Sequence, residues 1–444
     1  MSNFLSIEHS GITDVGIKRP HNQDSFLIQP AVDEKQWRLV GHIFIVSDGM
    51  GGHAVGEKAS AKAAQDIPLI YTKHVQDGPV QALRRAFQET NASIYAIGQK
   101  NPEFRGMGTT STILTIREDG AWIGHVGDSR VYRFRNQVME QLSFDHSYVW
   151  EMARRLKVPP EELEDVRKNV IIRSLGPEPL VQVDVEGPHP TQENDIFLLC
   201  SDGLSNLVKP EEMGAIIYAF PVQESAKILV NLANVRGGTD NITVLVVKIL
   251  PSQSSALRSK FSDSPMFQKA LRLWDKWNNL LNWSMFLLGM GIFFAILFVL
   301  SNINEWSNGV TWLIFTVLSV VLGLGGLVWS LREGNKNSSE TSVSDLSVTN
   351  IYREYDCPID QDLIHQFRDE TIQLAKQVES SGLAYDKQQF NSFMEKSQNA
   401  EKDSDLLFAF REQLKAFDLL ATVSNQVHYK EKGFQPKWQP PRNY

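Results

Sequence analysis

Cysteine is nearly absent from this 444-residue chain. The two that occur, Cys200 inside an apolar run and Cys357 far from it, argue against a disulfide framework and for a reducing compartment. A basic surplus is also missing: the formal net charge is -8 and no Lys/Arg stripe dominates. That excludes a general nucleic-acid binder, since phosphate backbones attract clustered positive charge. The N-terminus, Met1-Ser2-Asn3-Phe4, lacks a basic stretch leading into an apolar one, so no secretory signal is expected and the soluble part should stay inside the cell. No His or Cys cluster has zinc-ligand spacing. The length itself excludes one ordinary core and favours two or three units.

Residues 1–251 read as an α+β domain. Branched and aromatic runs predict strands over 42–47, 110–116, 121–126, 131–134, 196–201 and 242–249. Helical periodicity covers 56–70, 80–98, 211–218 and 223–233. Clustered strands with helices arriving in pairs imply an αββα sandwich, two antiparallel sheets flanked by helix pairs, rather than an alternating parallel sheet.

Residues 252–282 form a polar, Ser-rich linker and juxtamembrane segment. Two uncharged apolar stretches follow, 283–303 and 310–331, each near the roughly 20 residues needed to cross a hydrocarbon core. A buried core helix is the plainer alternative, but Trp283, Trp306, Trp312 and Trp329 near the ends favour a transmembrane hairpin in contact with membrane lipid. Arg258, Lys260, Lys269, Arg272 and Lys276 precede the first stretch, and Arg332 and Lys336 follow the second, so both termini are expected in the cytoplasm, at the inner membrane. Gly323, Gly325 and Gly326 would allow close helix packing. After a linker over 332–349, residues 350–444 carry helical patterns at 363–378 and 406–423 and read as a small, mostly helical tail that recruits a partner or limits activity. Its end, Gln435-Pro436-Lys437-Trp438-Gln439-Pro440-Pro441, is an extended recognition segment or a frayed terminus.

The chemistry lies in aspartates that stand beside apolar strands and next to Gly, Asn or Ser: Asp24, Asp48, Asp128, Asp202 and Asp240. A strand-end loop projects a carboxylate beyond the sheet, and a neighbouring glycine lets the backbone bend towards a cation. Oxygen-only ligands suit Mg²⁺ or Mn²⁺. One Asp-Gly alone is also a common turn dipeptide.

The set as a whole resembles the metal-dependent protein phosphatases, the type 2C Ser/Thr phosphatases in their bacterial form, from about Phe4 to Leu250. The resemblance is carried by Gly16-Ile17-Lys18-Arg19-Pro20-His21-Asn22-Gln23-Asp24-Ser25, Asp48-Gly49-Met50-Gly51-Gly52-His53 with Gly56 and Glu57, and Gly108-Thr109-Thr110. It continues in Gly124-His125-Val126-Gly127-Asp128-Ser129-Arg130, Asp145-His146-Ser147, Ile172-Arg173-Ser174-Leu175-Gly176, Ser201-Asp202-Gly203 and Gly238-Thr239-Asp240-Asn241-Ile242-Thr243.

That resemblance implies two metals flanking a bridging water, with Asp48 as bridging ligand, Asp202 and Asp240 on the first metal and the Gly49 carbonyl on the second. It implies a base-like role for Asp24, phosphate binding by Arg19 through its planar fork, and a third, weaker metal on Asp128 shared with Asp202. The plainer readings are a turn carboxylate for Asp24 and a solvated surface arginine for Arg19. One departure stands out: animal members carry His directly after the Asp-Gly pair, where this chain has Met50, which cannot donate a proton. His53 and His146 read as structural, and residues 147–168 resemble a flap suited to substrate contact. The expected partners are phosphorylated proteins and an opposing Ser/Thr kinase. The alternatives are a phosphatase-like scaffold with weak metals and a membrane signalling adaptor whose activity resides in the tail.

Overall fold

The computed structural model describes residues 4–51, 55–158, 160–163, 170–251 and 353–431. All of them belong to one compact unit, which joins Met1–Ser252 to Asn350–Tyr444. The N-terminal part contains β1 (Ile7–Asp14), β2 (Asp24–Gln29), α1 (Glu34–Leu39), β3 (His42–Met50), α2 (Val55–His74), α3 (Pro79–Lys100), β4 (Gly108–Thr109), β5 (Ser111–Arg117), β6 (Gly120–Val126), β7 (Arg130–Arg135) and β8 (Val138–Gln141). It continues with α4 (Tyr148–Leu156), β9 (Asp184–His189), β10 (Ile196–Cys200), α5 (Asp202–Ser205), α6 (Pro210–Ala219), α7 (Val222–Val235) and β11 (Ile242–Ile249). The C-terminal part is β12 (Arg353–Asp356), α8 (Gln361–Ser380), α9 (Lys387–Lys402) and α10 (Leu406–Glu431).

Two antiparallel sheets stack face to face, one ordered β1-β11-β10-β7-β8-β12, the other β2-β3-β5-β6-β9 with β4 paired to β3. Strand periodicity sets the layers, because successive side chains point to opposite faces. Phe44 and Val46 of β3, Phe197 and Leu199 of β10, and Leu245 and Val247 of β11 fill the space between the sheets. The alternate residues Ile43 and Ile45 face α2 and α3, together with Ala63, Ile67 and Phe87. Leu198, Val244 and Val246 face α6 and α7. The central strands are thus buried on both faces and read as unbroken apolar runs. The expected αββα sandwich is the observed one.

The C-terminal helices do not stand apart from this sandwich. Strand β12 extends the first sheet beyond β8, with Arg353 opposite Gln141 and Tyr355 opposite Met139. Helix α8, capped by the Asp360 side chain, buries Ile364, Phe367, Thr371, Leu374 and Val378 on one stripe at helical spacing. Phe367 meets Phe410 and Phe417 of α10 edge-on, at centroid distances of 5.6 and 6.5 Å. These rings share one core with Ile216 of α6 and Leu229 of α7, so the tail is a further helical layer on the sandwich.

Sequence reading missed β1, β2, β4, β8, β9 and β12, of which β4 has two residues and β8 and β12 four each. It also missed α1, α4 and α5, and α9, whose buried residues are only Ser397 and Ala400, too few to leave an apolar stripe. Among the described residues no helix is long and apolar enough to cross a membrane. The expected spans at 283–303 and 310–331, both linkers and the segment 435–441 lie outside the described residues.

Candidate active site

Antiparallel pairing brings the five aspartates to one end of the sandwich. In the second sheet Asp24, opening β2, lies directly opposite Asp48, near the end of β3, and Asp128 sits in the turn between β6 and β7. From the first sheet, Asp202 lies two residues past the end of β10 and Asp240 two residues before β11, on the side where Cys200 pairs with Val244.

Hydroxyl and amide neighbours hold these carboxylates. The Ser201 and Thr243 hydroxyls each donate to Asp24 Oδ2 at 2.7 Å, pinning the two sheets together at the site. The Asp48 peptide is clamped by the Gly-Thr-Thr motif: its N–H donates to Thr110 Oγ1 at 3.0 Å, and its carbonyl accepts from Thr110 N and Thr109 Oγ1, both at 2.8 Å. Asn241 stitches the loop before β2 to β11, accepting from Gln23 N and donating to the carbonyls of Val15 and His21. Beneath Asp128, Arg130 pairs with Asp145 at 2.8 Å, and Gln141 donates to the same carboxylate. Ser201, Thr243, Thr110, Asn241, Arg130 and Asp145 were given no role from sequence, although all six lie inside the quoted motifs.

The glycines after two of the aspartates have a packing reason besides flexibility. A Cβ on Gly49 would lie 2.1 Å from the Gly56 carbonyl oxygen, and one on Gly203 would lie 2.0 Å from that of Asn241. Any side chain would push the Asp-bearing strand end away from its neighbour.

Electrostatically the site is strained. Burial raises the Asp24 carboxyl to about 7, Asp202 and Asp240 adding to the rise against the two hydroxyl bonds. Asp48 is pushed well above the ordinary range by burial and then by Asp24, Asp202, Asp128 and Asp240. Burial, followed by Asp202 and Asp145, likewise raises Asp128, and burial with Asp240 raises Asp202. Asp24 Oδ1, Asp128 Oδ1 and Asp202 Oδ1 are buried with no hydrogen-bond partner. A buried anionic oxygen without a donor is costly unless a cation reaches it. Such orphaned, all-oxygen donors fit hard divalent ions.

Among the described residues no three His, Cys, Asp or Glu side chains close on one point tightly enough to form a ready cage. The contacts of Asp240 are one reason: its Oδ1 accepts from Asn241 N at 2.9 Å and its Oδ2 pairs with Arg19 at 2.7 Å. Ions that keep several waters and take one or two carboxylates each suit that open arrangement better than a closed cage would.

Arg19 is about half exposed at the rim, its side chain 48% accessible. Met50 ends β3 opposite Gly108, and His53 lies outside the described residues. His146 is buried; its Nδ1 accepts from Gly127 N at 3.0 Å, so the ring shapes the turn that carries Asp128. Of the flap, α4 and residues 160–163 are described, whereas 164–169 are not.

Residues 18–234 match the family described as protein phosphatase 2C. The serine/threonine phosphatase stp of Listeria monocytogenes is 36% identical over 246 residues, covering 53% of this chain and 93% of that one. Protein phosphatase PhpP of Streptococcus pneumoniae is 36% identical over 249 residues, covering 55% of this chain and 98% of its own length. Among solved structures, the serine/threonine phosphatase Stp1 from Staphylococcus aureus aligns with a TM-score of 0.50 at 27% identity, covering 55% of this chain and 96% of that one. With near-complete coverage of two such relatives, and with the aspartates gathered at one end of an αββα sandwich, the chain belongs to the protein phosphatase 2C family.

Proposed function

We propose that this enzyme is a protein serine/threonine phosphatase that removes phosphate from phosphoserine and phosphothreonine with two Mg²⁺ or Mn²⁺ ions and a third held more weakly. The observation that carries this reading is the meeting of five aspartates at one sandwich end with three buried carboxylate oxygens unpartnered. Asp48, the Gly49 carbonyl, Asp202 and Asp240 would hold the pair of ions, and Asp128 with Asp202 the third. Bound there, divalent ions supply the Lewis acidity that makes water nucleophilic near neutral pH, so no phosphoenzyme is required.

The chain's own groups position the reactants. Asp24, tied down through Oδ2, keeps Oδ1 available to accept a hydrogen bond from the attacking water. Arg19 exchanges its contact with Asp240 for two phosphate oxygens, freeing that carboxylate as substrate arrives. Met50 carries no transferable proton, so the leaving serine oxygen takes one from water or from another side chain.

Mn²⁺-dependent hydrolysis of a phosphopeptide and of p-nitrophenyl phosphate by the full chain tests this, with Asp202→Asn expected to abolish both. Full turnover by that variant, or a wild-type chain inert with both Mg²⁺ and Mn²⁺, would overturn it.

The same reading extends to place and partner. Residues 283–303 and 310–331, uncharged and flanked by Lys and Arg, would form a hairpin in the inner (cytoplasmic) membrane with both termini cytoplasmic. There the enzyme would reverse a Ser/Thr kinase. Retention in the membrane fraction after an alkaline wash, lost on deletion of 283–331, supports the anchor; release of the intact chain by that wash refutes it. Phosphoproteomes with and without the gene test the kinase link, and unchanged phosphoserine and phosphothreonine levels would refute it.

A further inference from the structure

A node of half-buried polar contacts joins the C-terminal helices to the loop that carries Asp240, and the reaction as derived above makes no use of it. Arg236, which caps the C-terminus of α7, grips Glu212 of α6 through both terminal nitrogens at 2.6 and 2.7 Å. Its second nitrogen also pairs with Glu370 of α8 at 2.8 Å, and its guanidinium lies 5.9 Å from the centroid of the buried Phe367 ring. Gln366 of α8 donates to the same Glu212 carboxylate at 2.6 Å. With the Leu207 carbonyl, to which it donates at 3.0 Å, one guanidinium therefore holds four groups in place, two of them from the C-terminal layer.

The backbone leaving Arg236 is the site itself. Gly237 N and Gly238 N close α7 on the carbonyls of Asn234 and Ala233. The Gly238 carbonyl then accepts from Ile17 N at 2.8 Å and Lys18 N at 3.0 Å, supporting the turn that ends in Arg19. Asp240 follows two residues on and meets Arg19 at 2.7 Å. Arg236 is thereby linked, through a few residues of backbone, to a predicted metal ligand and to the predicted phosphate-binding arginine together.

We propose that Glu370 of the C-terminal layer, acting through Arg236, is a positioning residue for the loop bearing Asp240 and for the Arg19 turn. The catalytic centre then reaches its working geometry only with that layer in place. This rests on the phosphatase reading of the site. The side chain of Glu370 is 29% accessible, and a partly exposed ion pair contributes little to global stability. An effect on the site larger than the effect on unfolding is therefore the signature of positioning.

The full chain, wild type and variants, is compared by calorimetric Mn²⁺ binding, by kcat and KM on a phosphopeptide, and by thermal unfolding. Glu370→Ala is expected to weaken Mn²⁺ binding and raise KM about three- to tenfold, with the unfolding midpoint nearly unmoved and Glu370→Asp restoring part of the loss. Asp418→Ala is the control: it removes the contacts of α10 with Lys227 and Asn231 of α7, away from the Arg236 loop, and should leave Mn²⁺ binding as in wild type. Wild-type Mn²⁺ binding and KM in Glu370→Ala overturn the proposal, as does an equal shift in Asp418→Ala, which would mean general loosening. The phosphatase reading fails by a separate result, persistent hydrolysis in Asp202→Asn, whatever Glu370 does.

Discussion

At the aspartate end of the sandwich like charges crowd together and raise one another's pKa, whereas at the junction with the C-terminal helices opposite charges meet: Arg236 with Glu212 and Glu370, Lys227 with Asp418. The first arrangement costs folding free energy and makes sense only for a region that binds cations. In the second each charge meets its counter-ion, so the contacts favour the folded arrangement. The same chain thus keeps its electrostatic conflict at the site and its electrostatic agreement at the interface beside it.

That contrast can be broken at either end. The largest effect is expected from Phe367→Ala, which empties the middle of the C-terminal core and should cost about 3–5 kcal/mol in denaturant unfolding. Unfolding of wild-type stability would mean that the helices are not part of the unit. Next, Asp202→Asn should lower phosphopeptide turnover at least about a hundredfold yet leave stability in chelator unchanged or higher, since it removes one of the mutually repelling charges. Marked destabilisation there would contradict the reading of the site as strained. Arg19→Ala should raise KM by roughly ten- to a hundredfold, the loss of a charge-assisted pair worth about 1.5–3 kcal/mol, with little change in unfolding.

Acid should act on the interface in a defined direction. Burial would raise the Glu212 carboxyl, but Arg236 outweighs burial and holds it below its ordinary value of 4.5. A carboxyl depressed on folding contributes stability that is present above that ordinary value and lost as the pH falls below it. As the pH is taken from about 5 towards 3, the unfolding free energy of the apo wild-type chain should therefore fall relative to that of apo Glu212→Gln, the opposite contribution of the raised site aspartates cancelling in the difference. The smallest effect belongs to Lys227→Ala, whose half-exposed pair with Asp418 is worth under about 1 kcal/mol.

Much of the fold was legible because burial on both faces writes the central strands as unbroken apolar runs, and because α2, α3, α6 and α7 each present an apolar stripe. The edge strands were not, since β1 is half-buried along most of its length and β12, Arg-Glu-Tyr-Asp, has no apolar pattern. Of the site, the carboxylates were visible as Asp-Gly, Asp-Asn and Asp-Ser pairs beside strands. Their supports, such as Thr243 on Asp24 across 219 residues of chain, were not, because a hydroxyl has no sequence signature until its partner is placed.

By itself the sequence determined the αββα layering, through side-chain alternation along a strand, and it singled out the five aspartates, through their place beside apolar strands and their resemblance to a family. Only the tertiary structure decided that Arg19 rests on Asp240, that Ser201 and Thr243 share one oxygen of Asp24, and that the last helices lean on Arg236. Those contacts join residues far apart in the chain, and their energies exist only once the backbone has brought the partners within hydrogen-bonding distance.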